Sequence, residues 1–381
     1  MKETDQIVGF SVNDRFEQFN QMNDIFTRAF WDKEIKSSDT EAFFNSYRSN
    51  FDAKRADGFN QKDFALRNAS WLISDLISNR GAKAGIREGF QAYIQNDTPI
   101  VENKVLVEDK FTQSNEIKRV AKLFGADLVG ITSVDERWHY SHRVDTTNFK
   151  PVPNDLPGDC NMVIVMAHSM DYDLVDTYPS ALAGASSGRE YSHEAAICMQ
   201  LAAYIRGLGY EAIASMNDTA LVIPYAIKAG LGEYGRNQMV ITPEYGPRVR
   251  FSKIFTSLPL AVDRPKALGI KEYCDICTKC ASSCPPKALP FGAPNEKTDS
   301  ISTIKGVKKW SANCEKCFGY WAKIRTDCAI CMRVCPFNKE YKSLKDLIWR
   351  RLATSALRRW ALIWEKLAKP RKRLKPSKWW N

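Results

Sequence analysis

Residues 273 to 292, YCDICTKCASSCPPKALPFG, place four cysteines between positions 274 and 284. A second motif, DCAICMRVCPFNK, follows at residues 327 to 339. The spacing C-x2-C-x2-C-x3-C-P is typical of thiolates that wrap an iron-sulfur cluster. This part of the chain is therefore predicted to carry electrons.

The two motifs interlock in a predictable way. In two-cluster ferredoxins, three cysteines of a motif bind one cluster, and the cysteine before proline binds the other. The first 4Fe-4S cluster is predicted on Cys274, Cys277, Cys280 and Cys335. The second is predicted on Cys284, Cys328 and Cys331, with a fourth thiolate from upstream. Either Cys314 or Cys317 has to supply that thiolate, and the spacing alone does not choose between them.

Zinc and disulfides are the alternatives for these cysteines. Nine of the eleven lie between 274 and 335 in short spacings, which suits metal ligation better than a disulfide framework. Zinc sites prefer paired C-x2-C arms that are a dozen or more residues apart, so iron-sulfur clusters are favoured. Cys160 and Cys198 border or lie within apolar runs and are predicted to be small buried hydrophobic residues.

Length and charge set further bounds. The 381 residues have room for two or three domains. The formal net charge is +11, but residues 347 to 381 carry eleven Lys and Arg against one Glu. Because the basic character belongs to the tail, no nucleic-acid partner is expected. The N-terminal residues contain neither an apolar signal core nor a twin-arginine motif, so a cytoplasmic location is expected, or the exocytoplasmic face if a leader was removed.

Apolar periodicity divides the chain into four predicted regions. Residues 1–115 are predicted to be mainly helical and 116–265 to form an α/β core; 266–345 hold the two-cluster module and 346–381 the basic tail. Within the core, ADLVGITSV and NMVIVMAH are predicted strands, and SHEAAICMQLAAYIRGLG and TALVIPYAIKAG are predicted helices. Strands that alternate with helices favour an α/β layer.

No P-loop motif is present, and the G-x-G-x-x-G match GLGEYG at residues 230 to 235 follows a predicted helix and not a strand, so a flavin or nicotinamide bound in the Rossmann manner is unsupported. The four histidines form no recognisable metal set. The electrons therefore need another acceptor.

Several segments together resemble the corrinoid-dependent reductive dehalogenases in order and spacing. They are SSGREYSHEA, NDTALVIPYAIKAGLGEYGRNQ, EYGPRVRFSKIFTSLPL, the ferredoxin motif, KCFGYWA and DCAICMRVCPF. RFEQFNQMNDIFTRAFWD and the terminal KWW extend the resemblance from about residue 10 to the C-terminus. A twin-arginine leader, found in the respiratory members, is missing.

The resemblance implies an α+β or α/β fold: a nitroreductase-like cobalamin-binding core with an inserted or appended two-cluster ferredoxin-like module. It implies a base-off cobalamin without a histidine ligand from the protein. Tyr191 in GREY is then the expected proton donor, with Asn217 and Arg250 as its companions. Arg250 is expected to lower the pKa of Tyr191, and Asn217 to orient its hydroxyl. Without the resemblance, Asn217 with Asp218 is equally well explained as a helix cap.

The resemblance also selects Cys317 over Cys314, because CFGYWA matches the pattern of the family. Trp321 then corresponds to a tryptophan of the pocket wall. In the loop GLGEYGRN, the resemblance implies corrinoid contacts at Gly230, Gly232, Tyr234 and Arg236. The loop by itself predicts a helix end with a glycine in the left-handed conformation.

Three functions remain open from the sequence. Reductive dehalogenation of a small organohalide is favoured; an epoxyqueuosine reductase-like enzyme acting on tRNA, with Asp218 as acid, and a non-catalytic electron carrier are the alternatives. An electron-donor protein or a membrane redox partner is expected. The tail LIWRRLATSALRRWALIWEKLAKPRKR is predicted to form an imperfect amphipathic helix, suited to an anionic membrane surface, an acidic partner or its own domain.

Overall fold

The computed structural model describes residues 11–48, 53–157, 159–368 and 371–381. Its centre is a four-stranded antiparallel sheet in the order β2–β5–β9–β6. The strands are β2 (Leu128–Ser133), β5 (Met162–Ser169), β6 (Ala212–Ser215) and β9 (Val249–Thr256). Because every neighbouring pair is antiparallel, the fold is α+β, and the α/β layer inferred from alternating elements is wrong. Alternation along the chain does not fix strand direction, since a return across the sheet reverses it.

The central strand β5 is buried on both faces. Met162, Ile164 and Met166 point to one face, while alternate residues beginning with Val163 point to the other. The first face is covered mainly by two helices, α4 (Lys110–Leu123) and α6 (Ala181–Gly207). The second packs against α7 (Val222–Lys228) and part of the cysteine-rich module.

Helix α6 organises the molecule. It begins at Ala181, eleven residues before the predicted start at Ser192, and its N-cap is Ser180, whose hydroxyl accepts a hydrogen bond from the Ala183 amide. Helix α3 (Gln61–Ser78) packs along it. Gly188 permits the close approach, because a Cβ there would lie 2.4 Å from the Trp71 indole.

The other N-terminal helices are short. Helix α1 (Ile25–Trp31) and helix α2 (Ser38–Asn45) contact the module through aromatic side chains. Phe43, for example, meets Phe318 edge to face with the ring centroids 5.4 Å apart. Beyond Ser78 this mainly helical region continues as a 3-10 turn and irregular chain.

The module consists of short helices joined by loops. They are α8 (Ile270–Ile276), α9 (Lys279–Ser283), α10 (Cys314–Ile324) and α11 (Ile330–Arg333). The tail is not one helix: α12 (Leu344–Ala353) and α13 (Arg358–Leu367) are separate and pack on each other, and α14 (Pro376–Trp379) follows. A short helix, α5 (Tyr172–Asp176), lies between β5 and α6.

The remaining strands form two-stranded ribbons. They are β1 (Ser11–Val12) with β10 (Val307–Lys308), β3 (His142–Asp145) with β4 (Lys150–Pro153), and β7 (Glu233–Tyr234) with β8 (Val240–Ile241). The strand predicted in NQMVITP is therefore β8, outside the main sheet. Across the four described ranges, no helix combines the length and apolar character needed to span a membrane.

Candidate active site

A cavity of about 1470 Å³ lies between the N-terminal helices, α6, the sheet and the module. Its wall combines aromatic rings with a few ionisable side chains. Ordinary ligand pockets measure about 300 to 1,000 Å³, so this cavity has room for a large cofactor as well as a small substrate.

Tyr191 and Asn217 meet at the cavity wall. Tyr191 lies in the middle of α6, and Asn217 follows β6, yet Asn217 Nδ2 donates a hydrogen bond of 2.7 Å to the Tyr191 hydroxyl. Asn217 does not cap α7, whose N-cap position is Leu221 without a side-chain hydrogen bond. The structure therefore supports an orienting role for Asn217 and contradicts its reading as a helix cap.

Arg250 completes the group from β9. Its Nη2 donates to Asn217 Oδ1 over 3.3 Å, and its guanidinium carbon lies 3.7 Å from the centroid of the Tyr191 ring. Burial raises the pKa of Tyr191, while the Arg250 cation and the Asn217 hydrogen bond act in the lowering direction. Arg250 thus acts in the expected direction, but loss of hydration outweighs its charge and the net shift of the Tyr191 pKa is upward. Tyr191 holds its proton at neutral pH, and Arg250 is placed to stabilise the phenolate.

Residues from the N-terminal region hold the Tyr191 ring. Trp71 stacks on it at 4.5 Å between centroids, and Phe90 stacks at 5.4 Å. Neither residue belongs to a recognisable motif, and a single aromatic side chain in a helix or loop is usually part of a core. Their arrangement limits the movement of the phenol.

The first predicted cysteine group is assembled in the structure. A small cavity of about 20 Å³ is lined by Cys274, Cys277, Cys280 and Cys335, together with six other residues. Cys335 comes from the second motif, as the crossed ligation pattern requires.

The second group forms beside the first. Cys284 packs in an apolar cluster with Cys317 and Cys331. Cys328 completes the group: it raises the pKa of the Cys317 thiol, and Cys284 in turn raises the pKa of Cys328. Burial raises the pKa of Cys317 to about 12, so cluster binding would have to displace protons.

Cys314 has different surroundings. Its thiol lies at the large cavity and donates weakly to the Ser302 carbonyl at 3.8 Å. This placement supports Cys317 as the ligand. Within the described residues, no three His, Cys, Asp or Glu side chains converge on a point that suits a single metal ion. A four-iron cluster carries one thiolate on each iron, so its ligands need no such convergence.

Only part of the predicted corrinoid-contact set lines the large cavity. Tyr234 and Trp321 do, and the Tyr234 hydroxyl donates 2.9 Å to the Trp310 carbonyl. Gly230 does not, although it adopts the expected left-handed conformation with φ of 74°. Gly232 does not line the cavity either, and a Cβ at this position would sit 2.5 Å from the Ile241 carbonyl oxygen.

Arg236 belongs to the cysteine module. Its guanidinium is buried and donates to backbone carbonyls on both sides of the first cysteine group. The acceptors are the carbonyls of Cys274, Asp275, Cys277, Pro290, Phe291 and Gly292, at 2.7 to 3.3 Å. Arg236 therefore does not line the large cavity, and its observed role is to join two loops of the module.

The cavity fits a corrinoid without a protein ligand to cobalt. None of the four histidines lines the wall: His168, for example, is buried and hydrogen-bonded to Ser252 through Nε2 at 2.8 Å. Trp71, Phe90 and Trp321 add aromatic surface to the same wall. A flat macrocycle would find apolar surface there. The cavity and the cysteine groups of the module together are compatible with a cofactor-dependent redox enzyme.

Comparison with known proteins shows which proteins the chain is similar to. Residues 141–260 match the family model described as reductive dehalogenase subunit. The tetrachloroethene reductive dehalogenases of Desulfitobacterium hafniense and Sulfurospirillum multivorans are 34% and 35% identical to the chain, over 274 and 256 residues. Each match covers 61% of this chain and 49% or 51% of the relative. The chain thus spans about half the length of these curated relatives, and over that part it is similar to the tetrachloroethene reductive dehalogenases.

Solved structures show the same fold. A catabolic reductive dehalogenase in complex with 3-bromo-4-hydroxybenzoic acid superposes with a TM-score of 0.74 at 22% identity, covering 98% of this chain and 49% of that one. A structure described as suggesting a mechanism for B12-dependent dehalogenation gives a TM-score of 0.73 at 22% identity and covers 95% of this chain and 48% of that one.

The epoxyqueuosine reductase of Leadbetterella byssophila is 26% identical over 253 residues, 59% of this chain and 80% of that protein.

Proposed function

We propose that the protein is a reductive dehalogenase that replaces a halogen of a small organohalide by hydrogen. The observation that carries the proposal is the junction of Tyr191, Asn217 and Arg250 on the wall of a cavity whose lining reaches the cysteine module at Trp321 and Asp327. The proposed cofactors are one base-off cobalamin in the cavity and two 4Fe-4S clusters on the eight cysteines assigned above.

The cobalamin, when bound, supplies electrons to the carbon–halogen bond. The reaction consumes two electrons and one proton; the carbon–halogen bond breaks, a carbon–hydrogen bond forms and halide leaves. Tyr191 delivers the proton through its hydroxyl, which Asn217 directs. Arg250 stabilises the resulting phenolate, and the aromatic wall excludes water around the reacting carbon. Tyr234 and Trp321 are the side chains proposed to contact the corrinoid.

The position of Asp218 disfavours the tRNA-modifying alternative. Its carboxylate is fully buried and accepts hydrogen bonds from Ser215, Met216 and Thr219, and it does not line the cavity. Tyr191, unlike Asp218, lines the cavity. A protein that only carries electrons between partners needs no cavity of this size, so the cavity disfavours the electron-carrier alternative.

The test is anaerobic loading of the full chain with cobalamin and iron, followed by a halide-release screen over aryl, alkenyl and alkyl halides. Release that requires both the corrinoid and a reductant is expected. A fully loaded protein that reduces none of these halides, or one that binds no corrinoid, would contradict the proposal.

We further propose that α12 and α13 contact an anionic membrane surface. Seven large apolar side chains are exposed on this pair: Leu344, Leu347, Ile348, Leu357, Trp360, Ile363 and Leu367. The exposed charges beside them are basic, whereas Asp346 and Glu365 pair with Lys339 at 3.4 and 3.3 Å. Basic and apolar groups on one helical face suit anionic headgroups.

Sedimentation with anionic and zwitterionic vesicles tests this proposal. Binding to the anionic vesicles alone is expected, and it should weaken in Trp360→Ser. Leu72→Ser, on the exposed side of α3, is the matched control and should bind like the parent. Equal binding by both variants would contradict the proposal, and self-association through this face would show as a dimer in the absence of vesicles.

A further inference from the structure

Four buried polar atoms without a hydrogen-bond partner lie behind the Tyr191–Arg250 pair. They are Glu194 Oε1, Glu194 Oε2, Arg250 Nε and His168 Nδ1. Glu194 follows Tyr191 by one helical turn on α6, and His168 is the cross-strand neighbour of Arg250. Buried polar atoms almost always have partners, and ordered water is the usual partner when the protein supplies none. The site thus continues behind Tyr191 as a polar region.

Glu194 is the central group of this region. Its side chain is fully buried, and Oε1 lies 4.0 Å from Arg250 Nη2. Burial raises the pKa of Glu194 to about 8 against the opposing effect of Arg250, so the carboxyl is protonated at neutral pH. The charged and titratable groups that face it are Glu190, Tyr191 and Cys198 on α6, Arg250 and Lys253 on β9, His168 on β5, and Asp218 after β6.

Glu190 links Glu194 to solvent. It precedes Glu194 by one turn on α6, and its carboxylate pairs with Arg189 at 2.8 Å and with His193 Nδ1 at 3.9 Å. The Glu190 side chain is 4% exposed, whereas those of Arg189 and His193 are 50% and 53% exposed. Burial raises the pKa of Glu190 to about 7, so it exchanges protons near neutral pH.

We propose that Glu190 and Glu194 form a path that returns a proton from solvent to Tyr191 after each turnover. This inference rests on the proposed role of Tyr191 as the acid. Each turnover leaves Tyr191 as a phenolate, and Glu194 passes it a proton through the polar region. Glu194 then takes a proton from Glu190, and Glu190 takes one from solvent beside His193. One proton enters per halide released, and every side chain returns to its starting state.

First-turnover and steady-state kinetics separate this role from that of Tyr191. Tyr191 already holds one proton, so Glu194→Gln should release the first halide at a rate within about twofold of the parent. Its steady-state rate should fall on the order of 10²-fold, as for the loss of a proton-transfer group. Glu194→Asp should restore part of that rate, and Glu190→Gln should show a smaller loss of the same kind. Glu116→Gln, at an exposed position of α4, is the control and should match the parent.

The pH profile and an infrared measurement complete the test. Steady-state turnover of the parent should decline as the pH rises through about 8, where Glu194 ionises, and Glu194→Gln should lack this decline. Independently of turnover, the parent at pH 7 should show the infrared band of a protonated carboxyl group, and Glu194→Gln should lose it.

Three results would overturn the inference. They are an unchanged steady-state rate in Glu194→Gln, an equal loss of the first turnover, and absence of the infrared band. Failure of the proposed function would look different, because the parent and Glu116→Gln would then release no halide at all.

Discussion

The guanidinium of Arg250 lies over the ring of Tyr191, 3.7 Å from its centroid, and reaches Asn217 with one nitrogen. The cation therefore acts on the phenol through the ring face and through the amide that holds the hydroxyl. Burial and Arg250 oppose each other in setting the pKa of Tyr191. A buried acid that keeps its proton, with a cation ready for its conjugate base, suits proton delivery within a closed cavity.

Tyr191→Phe removes the proposed proton and little volume. Halide release should fall on the order of 10²- to 10⁴-fold, in the first turnover as well as at steady state. Iron and corrinoid contents should match those of the parent, and they are the control. Activity within a few-fold of the parent would assign the proton to another group or to water.

Arg250 is expected to contribute mainly through its charge. Arg250→Lys should retain more halide release than Arg250→Gln, because an ammonium group still favours the phenolate, although it cannot reproduce the stacked fork. Comparing the two rates at equal cofactor content measures the effect. Equal losses in both variants would show that the guanidinium geometry matters more than the charge.

Replacing each of the two candidate cysteines should have a different effect on the iron bound per chain. Cys317→Ala should lower the iron bound per chain, because it removes a thiolate from the second group. Cys314→Ala should leave it unchanged, since that thiol faces the large cavity. Iron analysis of both reconstituted variants decides between them, and the reverse outcome would move the ligand to Cys314.

Arg236→Gln should lower the stability and the iron content of the cysteine module. Removing the guanidinium leaves several buried carbonyls without a donor, each costing about 1 to 3 kcal/mol. The variant should lose iron and unfold at a lower temperature than the parent. Arg350→Gln is a useful control, because Arg350 donates from α12 to the single Pro243 carbonyl at 2.8 Å. Normal iron content in Arg236→Gln would contradict the joining role.

Stability should depend on pH through Glu194. Its folded pKa of about 8 lies above the ordinary value of 4.5, so between these values the native protein keeps a proton that the unfolded chain releases. The free energy of unfolding therefore decreases as the pH rises through this window. Glu194→Gln should raise the melting temperature relative to the parent more at pH 8 than at pH 5. A difference that does not change with pH would show that Glu194 is ionised in the native protein.

The sequence by itself determined where two core strands lie and predicted how the cysteines group. Apolar alternation identified β2 and β5, and ligand spacing predicted the partition of the two cysteine groups, because both signals are carried by residues close in the chain. Resemblance to a family added Tyr191, Asn217 and Arg250, which composition would have left as ordinary surface or core residues.

Tertiary structure decided the rest. Contacts between distant segments set the direction of the strands and stack Trp71 and Phe90 on Tyr191. They also give Cys314 and Cys317 different surroundings and bury Arg236 in the module. Periodicity reports which face of a segment is buried, but not which distant residue covers it. The Tyr191–Arg250 contact exists because the antiparallel sheet places the start of β9 opposite the middle of α6, and that placement results from packing of the whole core.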